Sequence, residues 1–158
     1  MSTVKQGTAL VAILVICFTA AGLGSVATTP NVATWYASLA KPSWNPPNWL
    51  FGPVWTVLYI GMAVAAWLVW RQGGFRQMRW PLTLFALQLA LNAAWSWIFF
   101  GFHMPGAACL EILALLATIV ATTIAFWPRS QAAGILMLPY LGWVAFASVL
   151  NFTLWRLN

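Results

Sequence analysis

Long uncharged apolar stretches, divided by cations singly or in small clusters and once by a lone Glu, set the pattern of the chain. No Asp, Glu, Lys or Arg occurs between Lys5 and Lys41, Lys41 and Arg71, Arg79 and Glu111, Glu111 and Arg129, or Arg129 and Arg156. Crossing about 30 Å of hydrocarbon takes roughly 20 apolar residues at a helical rise of about 1.5 Å. The stretches therefore predict five spans, near residues 8–27, 50–70, 80–100, 105–127 and 131–155. Lipid offers no partner to backbone N–H and C=O groups, and runs of this length lack the polar–apolar alternation of a membrane barrel. The spans are thus helices, and the fold class is all-α: one five-helix transmembrane domain over residues 1–158, with a long loop at 28–48.

Composition reinforces this class. Hydrophobic residues make up 63% of the 158 and charged ones 5%, too few to coat a water-facing surface. The formal charge of +6 would suggest nucleic acid in a soluble protein, but here the cations sit between apolar runs, where they meet lipid headgroups, and no nucleic-acid partner is expected. Cys17 and Cys109 fall inside apolar runs and read as small buried hydrophobes, with no disulfide or metal site implied. Ser25-Val26-Ala27 has the small-x-small form of a secretory cleavage site. The preceding apolar run exceeds the usual h-region of about 7 to 15 residues, which favours a retained helix.

With five spans the termini lie on opposite faces. Lys5, Arg71, Arg76, Arg79 and Arg129 gather on the N-terminal face and Lys41 and Arg156 on the other, which predicts a cytoplasmic N-terminus and favours an inner cell membrane, an outer one staying open. Short connections at 71–79, 101–104 and 128–130 predict that consecutive helices from the second to the fifth pack as antiparallel neighbours. The loop 28–48 carries Pro30, Trp35, Tyr36, Lys41, Pro42, Trp44, Pro46 and Pro47, and reads as a packed lid over one end of the bundle.

Polar and bulky aromatic side chains inside a membrane bundle report a site or a packing seam. On the third span Gln88, Asn92, Trp95 and Phe99 form one stripe of amides and rings, suited to a pocket. Ala86, Ala90 and Ala94 form a second, small-residue stripe on another sector, suited to a helix of the same bundle or to a second protomer in a homodimer. Trp55 and Tyr59 on the second span, and Tyr140, Trp143, Ala147 and Asn151 on the fifth, continue the aromatic–amide pattern. Asn92 and Asn151 are costly to leave unpaired in hydrocarbon and should turn inward, toward each other, a ligand or a backbone carbonyl. Trp70, Trp80, Trp127 and Trp155 sit at span ends, where a headgroup-level belt explains them.

Signals for catalysis are sparse. His103, alone of its kind, reads as a solvated loop residue and not as a haem ligand. Glu111, about a turn and a half into the fourth span, is expected to snorkel to the interface. The chain has no phosphate loop, no nucleophile elbow and no paired carboxylates, so no metal and no obligatory cofactor are expected.

Segments of the first loop and of the second, third and fifth spans carry a resemblance. Trp35-Tyr36-Ala37-Ser38-Leu39-Ala40-Lys41-Pro42-Ser43-Trp44-Asn45-Pro46-Pro47 followed by Gly52-Pro53-Val54-Trp55-Thr56-Val57-Leu58-Tyr59 resembles the first loop and second helix of the tryptophan-rich sensory protein family, whose mammalian members are called translocator protein or peripheral benzodiazepine receptor. Leu91-Asn92-Ala93-Ala94-Trp95-Ser96 with Phe99-Phe100-Gly101, and Pro139-Tyr140-Leu141-Gly142-Trp143 with Leu150-Asn151-Phe152, are similar to its third and fifth helices. For a bacterial member the resemblance implies a dimeric five-helix bundle with a cavity under the first loop. The implied ligands are tetrapyrroles (protoporphyrin IX, haem), synthetic isoquinolines and benzodiazepines, and cholesterol. Carried over by motif, the binding residues are Trp35, Tyr36, Pro46, Pro47, Trp55, Tyr59, Asn92, Trp95, Trp143, Ala147 and Asn151. The family's sterol pattern falls on Leu150, Phe152 and Arg156, where Phe152 lacks the hydroxyl of the usual Tyr. Three functions stay open under the resemblance: a receptor or sensor, a light-dependent porphyrin-degrading activity with Trp55 and Trp143 as candidate electron donors, and a transporter of tetrapyrrole or sterol.

Overall fold

The computed structural model describes residues 3–158. Five long helices form the bundle: α1 (Thr3–Val32), α3 (Asn48–Trp70), α5 (Arg79–Ser96), α6 (Pro105–Phe126) and α7 (Gln131–Leu157). Two single-turn helices lie in the connections, α2 (Trp35–Ser38) in the lid and α4 (Gly74–Gln77) between α3 and α5. All five long helices are apolar and long enough to cross a membrane, the third of them counted through Gly101.

Helix α1 runs to Val32, past Pro30, so residues 28–32 belong to a helix and the lid proper begins at Ala33. Proline leaves one carbonyl of the preceding turn without its N–H, yet the end of α1 is tied by side chains: Thr28 Oγ1 donates to Gly24 O at 3.0 Å and Asn31 Nδ2 to Ala27 O at 2.8 Å. Helix α5 changes hand-hold at its lid end, where Trp97–Gly101 winds as a π-helix. That widening turns Phe99 and Phe100 inward together, both buried. Ser130 starts α7 as an N-cap, its Oγ accepting from Ala133 N at 3.2 Å.

The helices close as a ring in the order α1, α3, α7, α6, α5. The short 71–79 connection does not make α3 and α5 close neighbours, contrary to the expectation from its length. They touch sparsely, because α4 carries the chain across the end of the bundle and α1 packs between them on one side. Helices α5, α6 and α7 do pack consecutively. In the half of the bundle away from the lid the ring is filled by Met62, Ala66, Val69, Phe85, Leu89, Phe126 and Met137. Toward the lid the centre of the ring is hollow.

Candidate ligand-binding site

The hollow is a cavity of about 740 Å3, within the roughly 300–1,000 Å3 usual for small-molecule sites. Its walls are positions 18–32 of α1, 48–59 of α3, 92–100 of α5 and its π-helical end, and 143–154 of α7, with Ala33 and Tyr36 of the lid above. Rings form much of the lining. Trp55 lies 5.8 Å from Tyr59 and, edge-on, 6.2 Å from Tyr140, centroid to centroid. Trp143 meets Phe51 at 5.9 Å, and Trp95 stacks on Phe99 at 5.1 Å. These contacts hold the indoles in fixed orientations and leave apolar faces toward the cavity.

A hydrogen-bonded chain crosses the bundle at the cavity floor. Tyr59 Oη donates to Asn92 Oδ1 at 2.8 Å, Asn92 Nδ2 to Tyr140 Oη at 2.9 Å, and Tyr140 Oη to Gln88 Oε1 at 2.7 Å. Gln88 and Tyr140 are wholly buried. The chain links α3, α5 and α7 where van der Waals packing alone gives no directionality, and each bond removes a polar atom that hydrocarbon cannot satisfy. Nearer the lid, Trp95 Nε1 donates to Asn151 Oδ1 at 2.9 Å and Asn151 Nδ2 to Pro105 O at 2.8 Å. Both asparagines turn inward, but not toward each other. Asn151 stands eleven residues beyond Tyr140 on α7, about 16 Å at ~1.5 Å per residue, so Asn92 finds tyrosines while Asn151 finds an indole and a carbonyl.

Tyr36, Trp55, Tyr59, Asn92, Trp95, Trp143, Ala147 and Asn151 all line the cavity. Trp35, Pro46 and Pro47 do not. Trp35 points away from the hollow and stacks on His103 at 4.3 Å, since neighbouring residues of the short α2 face different ways and Tyr36 takes the inward one. Asn45 Nδ2 donates to Pro46 O at 3.0 Å, and Pro47 caps the start of α3, so this pair shapes the return of the lid and gives no wall. Leu150 lines the cavity whereas Phe152 and Arg156 are exposed on the outer surface, so the three residues of the sterol pattern form no common patch. Ala86 and Ala90 are exposed on α5 and Ala94 is half-buried. His103 is exposed but not merely solvated, as its ring contacts show. Glu111 does not reach the interface: both carboxylate oxygens are buried and make no hydrogen bond, its neighbours Ala108, Cys109, Ile112 and Leu115 being packed inside.

The pattern of periodicity passes over α1, which supplies a whole wall through Phe18, Ala21, Gly22, Gly24, Ser25, Thr28 and Thr29. The signal was compositional: small and hydroxyl residues concentrate in 20–29. A Cβ at Gly24 would sit 3.0 Å from Ser96 Oγ, so the absence of a side chain there sets how closely α1 and α5 approach.

The lid is tied down at several points. Tyr36 Oη donates to Asn45 Oδ1 at 2.9 Å, and Lys41 Nζ stands 4.7 Å from the Tyr36 ring centre while donating to Leu39 O at 3.0 Å. Burial pushes the Tyr36 phenol up from its ordinary value, against a smaller opposing effect of the Asn45 bond, which keeps it a neutral donor at physiological pH. Asn158 accepts from Ala40 N at 2.9 Å and donates to Ala40 O at 3.1 Å, pinning the lid to the end of α7. Cavity-lining residues that are nonetheless exposed lie on or just after α1 and on α3: Phe18, Gly22, Ser25, Thr29 and Ala33 on one edge, Asn48, Gly52 and Thr56 on the other. The hollow thus opens sideways, between two helices, along an edge of mostly small or hydroxyl side chains with Phe18 at its deep end.

A five-helix membrane bundle with an aromatic cavity under a tryptophan- and proline-rich lid defines an integral membrane protein built around a small-molecule-sized pocket. The sequence profile of the TspO/MBR family matches residues 12–156, and the chain belongs to that family. It is 41% identical over 158 residues to the tryptophan-rich protein TspO of Archaeoglobus fulgidus, covering 100% of this chain and 99% of the relative. It is 45% identical to the tryptophan-rich protein TspO of Chlorobaculum tepidum over 156 residues, 98% of each chain. To the human translocator protein the identity is 47% over 126 residues, 78% of this chain and 75% of the relative.

Proposed function

We propose that the protein is a membrane receptor or sensor for a flat, hydrophobic tetrapyrrole such as protoporphyrin IX or haem, held in the cavity under the lid. The carrying observation is the convergence of Trp55, Trp95 and Trp143 on one hollow of suitable volume. Their amide neighbours are bonded to protein groups, so the lining offers a ligand ring faces and hydroxyls instead of buried unpaired amides. Stacking on indoles and burial of macrocycle area, at about 25 cal/mol per Å2 removed from water, supply most of the affinity, less for a ligand arriving from lipid. The printed names of relatives, tryptophan-rich sensory protein in Cereibacter sphaeroides and translocator protein in human, agree with a role in handling a small molecule.

The ligand enters from the bilayer, through the edge between α1 and α3, while the lid stays pinned. The protein works as a homodimer joined through Ala86, Ala90 and Ala94, with its N-terminus cytoplasmic in an inner membrane. Binding is tested by titrating protoporphyrin IX into the reconstituted protein and following tryptophan fluorescence. Illumination under air separates the second reading: if an indole of Trp55 or Trp143 passes an electron to the excited porphyrin and dioxygen, as the oxidant, takes the electron on and attacks the macrocycle, bleaching is faster than in Trp55→Phe combined with Trp143→Phe and stops under argon, whereas a receptor bleaches its porphyrin no faster than that variant. Trp55 favours keeping that reading in view, since it adjoins both Tyr59 and Tyr140. Flux into sealed proteoliposomes tests transport.

A further inference from the structure

The turn between the π-helical end of α5 and α6 has an uncommon backbone at a residue that no hydrophobic pattern explains. His103 has φ +56°, and it alone among the described non-glycine residues has a positive φ. Met104 N donates back to Ile98 O at 3.1 Å, so His103 stands at the position after a helix end where glycine is the usual occupant. A histidine there pays a steric penalty that glycine avoids, and its side chain makes two contacts a glycine lacks. The ring stacks on Trp35 of the lid with planes 17° apart and centroids 4.3 Å apart. Its Nε2 lies 2.9 Å from Asn31 Oδ1. Asn31 Nδ2 is committed to Ala27 O at 2.8 Å, which leaves Oδ1 as an acceptor and requires the proton on Nε2 of His103.

We propose that His103 is a positioning residue for the lid, clamping Trp35 to the end of α1, and that protonation of its ring tightens the clamp. The second proton goes to Nδ1, because Nε2 already carries one. The imidazolium then lies over an indole face, a cation–π arrangement, and its bond to Asn31 becomes charge-assisted. Trp35 also meets Phe99 edge-on at 5.4 Å, and its neighbour Tyr36 forms the cavity ceiling, so the clamp holds the part of the lid that faces the site. Other groups that carry or change charge near this end are Lys41 and Tyr36 in the lid, Glu111 in α6 and the exposed Arg156 in the last turn of α7. Burial holds the Tyr36 phenol above its ordinary value, so it stays protonated across about pH 5 to 8. Control of ligand exchange by this clamp rests on the cavity being a ligand site; the clamp itself is testable without any ligand.

The experiment is hydrogen exchange of lid residues 33–45 in ligand-free protein in nanodiscs, comparing wild type with His103→Gln and His103→Gly at each pH. His103→Gly relieves the positive φ and keeps the fold, so a loosened lid in that variant reports the lost ring. At pH 5.5 the wild-type lid should exchange about fivefold more slowly than in either variant, narrowing to within about twofold at pH 8, the scale of an exposed cation–π contact. Residues 62–69 in the packed half of α3 should exchange alike in all three and serve as the control for global stability. Equal lid exchange in the three proteins, or a difference of the same size at both pH values, overturns the proposal: the first removes the clamp, the second its dependence on protonation.

Discussion

The indole N–H of Trp95 on α5 donates to the carboxamide of Asn151 on α7 at 2.9 Å, and the same amide holds the first carbonyl of α6 at 2.8 Å. One residue thus sets the spacing of three helices at the lid end while remaining almost fully buried. Its replacement by leucine, similar in size but unable to bond, strands the indole N–H and takes from the Pro105 carbonyl the partner it has besides its own helix. Asn151→Leu should lower stability by about 1–3 kcal/mol, read as a shift in the detergent-unfolding midpoint. A midpoint equal to wild type would mean that these bonds contribute nothing net.

Tyr140 makes a second test of the polar floor. Tyr140→Phe removes the hydroxyl that joins Asn92 to Gln88 and leaves both amides short of a partner. A loss of about 0.6–2 kcal/mol is expected in the same unfolding assay, the range measured for bonds between membrane helices. The ligand affinity should change less than on removal of an indole, because Tyr140 is wholly buried and absent from the cavity wall.

Much of this was legible along the chain, for reasons that differ between residues. The five spans follow from charge exclusion over lengths that lipid thickness dictates, so their existence was well determined. The neighbours α5–α6 and α6–α7 followed from their short connections, but the pairing of α3 with α5 did not, because a short connection limits distance at one end only and says nothing of α1 inserting between them. Asn92, Trp95, Trp143 and Asn151 were found because an amide or indole at helical spacing has few reasons to exist in hydrocarbon. Trp35 was misplaced because a lid of one short helical turn has no periodicity to reveal which of two adjacent rings faces in. The wall from α1 escaped notice since glycine, serine and threonine serve close packing and cavity lining alike.

The open edge between α1 and α3 leads to a kinetic expectation. A Cβ added at Gly22 or Gly52 meets nothing within 4 Å, so a larger side chain fits there without disturbing the fold. Gly22→Leu combined with Gly52→Leu should slow porphyrin association about tenfold in stopped-flow fluorescence, with a smaller effect on equilibrium affinity. An unaltered association rate would place the route elsewhere, through the lid.

Self-association through α5 can be tested on the exposed face of that helix. Single cysteines at Ala86 or Ala90, in a background lacking Cys17 and Cys109, should crosslink between protomers in membranes, and Ala90→Phe should abolish the crosslink formed at position 86. Both residues are exposed in the protomer, so the bulky substitution leaves its interior untouched. Absence of any trapped dimer from either cysteine would count against this surface.

The most direct measurement is the equilibrium affinity of protoporphyrin IX for wild type and for Trp55→Ala combined with Trp143→Ala, in nanodiscs, by fluorescence of the porphyrin itself. Saturable binding by wild type and a weakening of tenfold or more in the variant, about 1.4 kcal/mol, is the expected result. Equal affinity in the two proteins, with the variant still folded, would contradict a tetrapyrrole site built on these indoles.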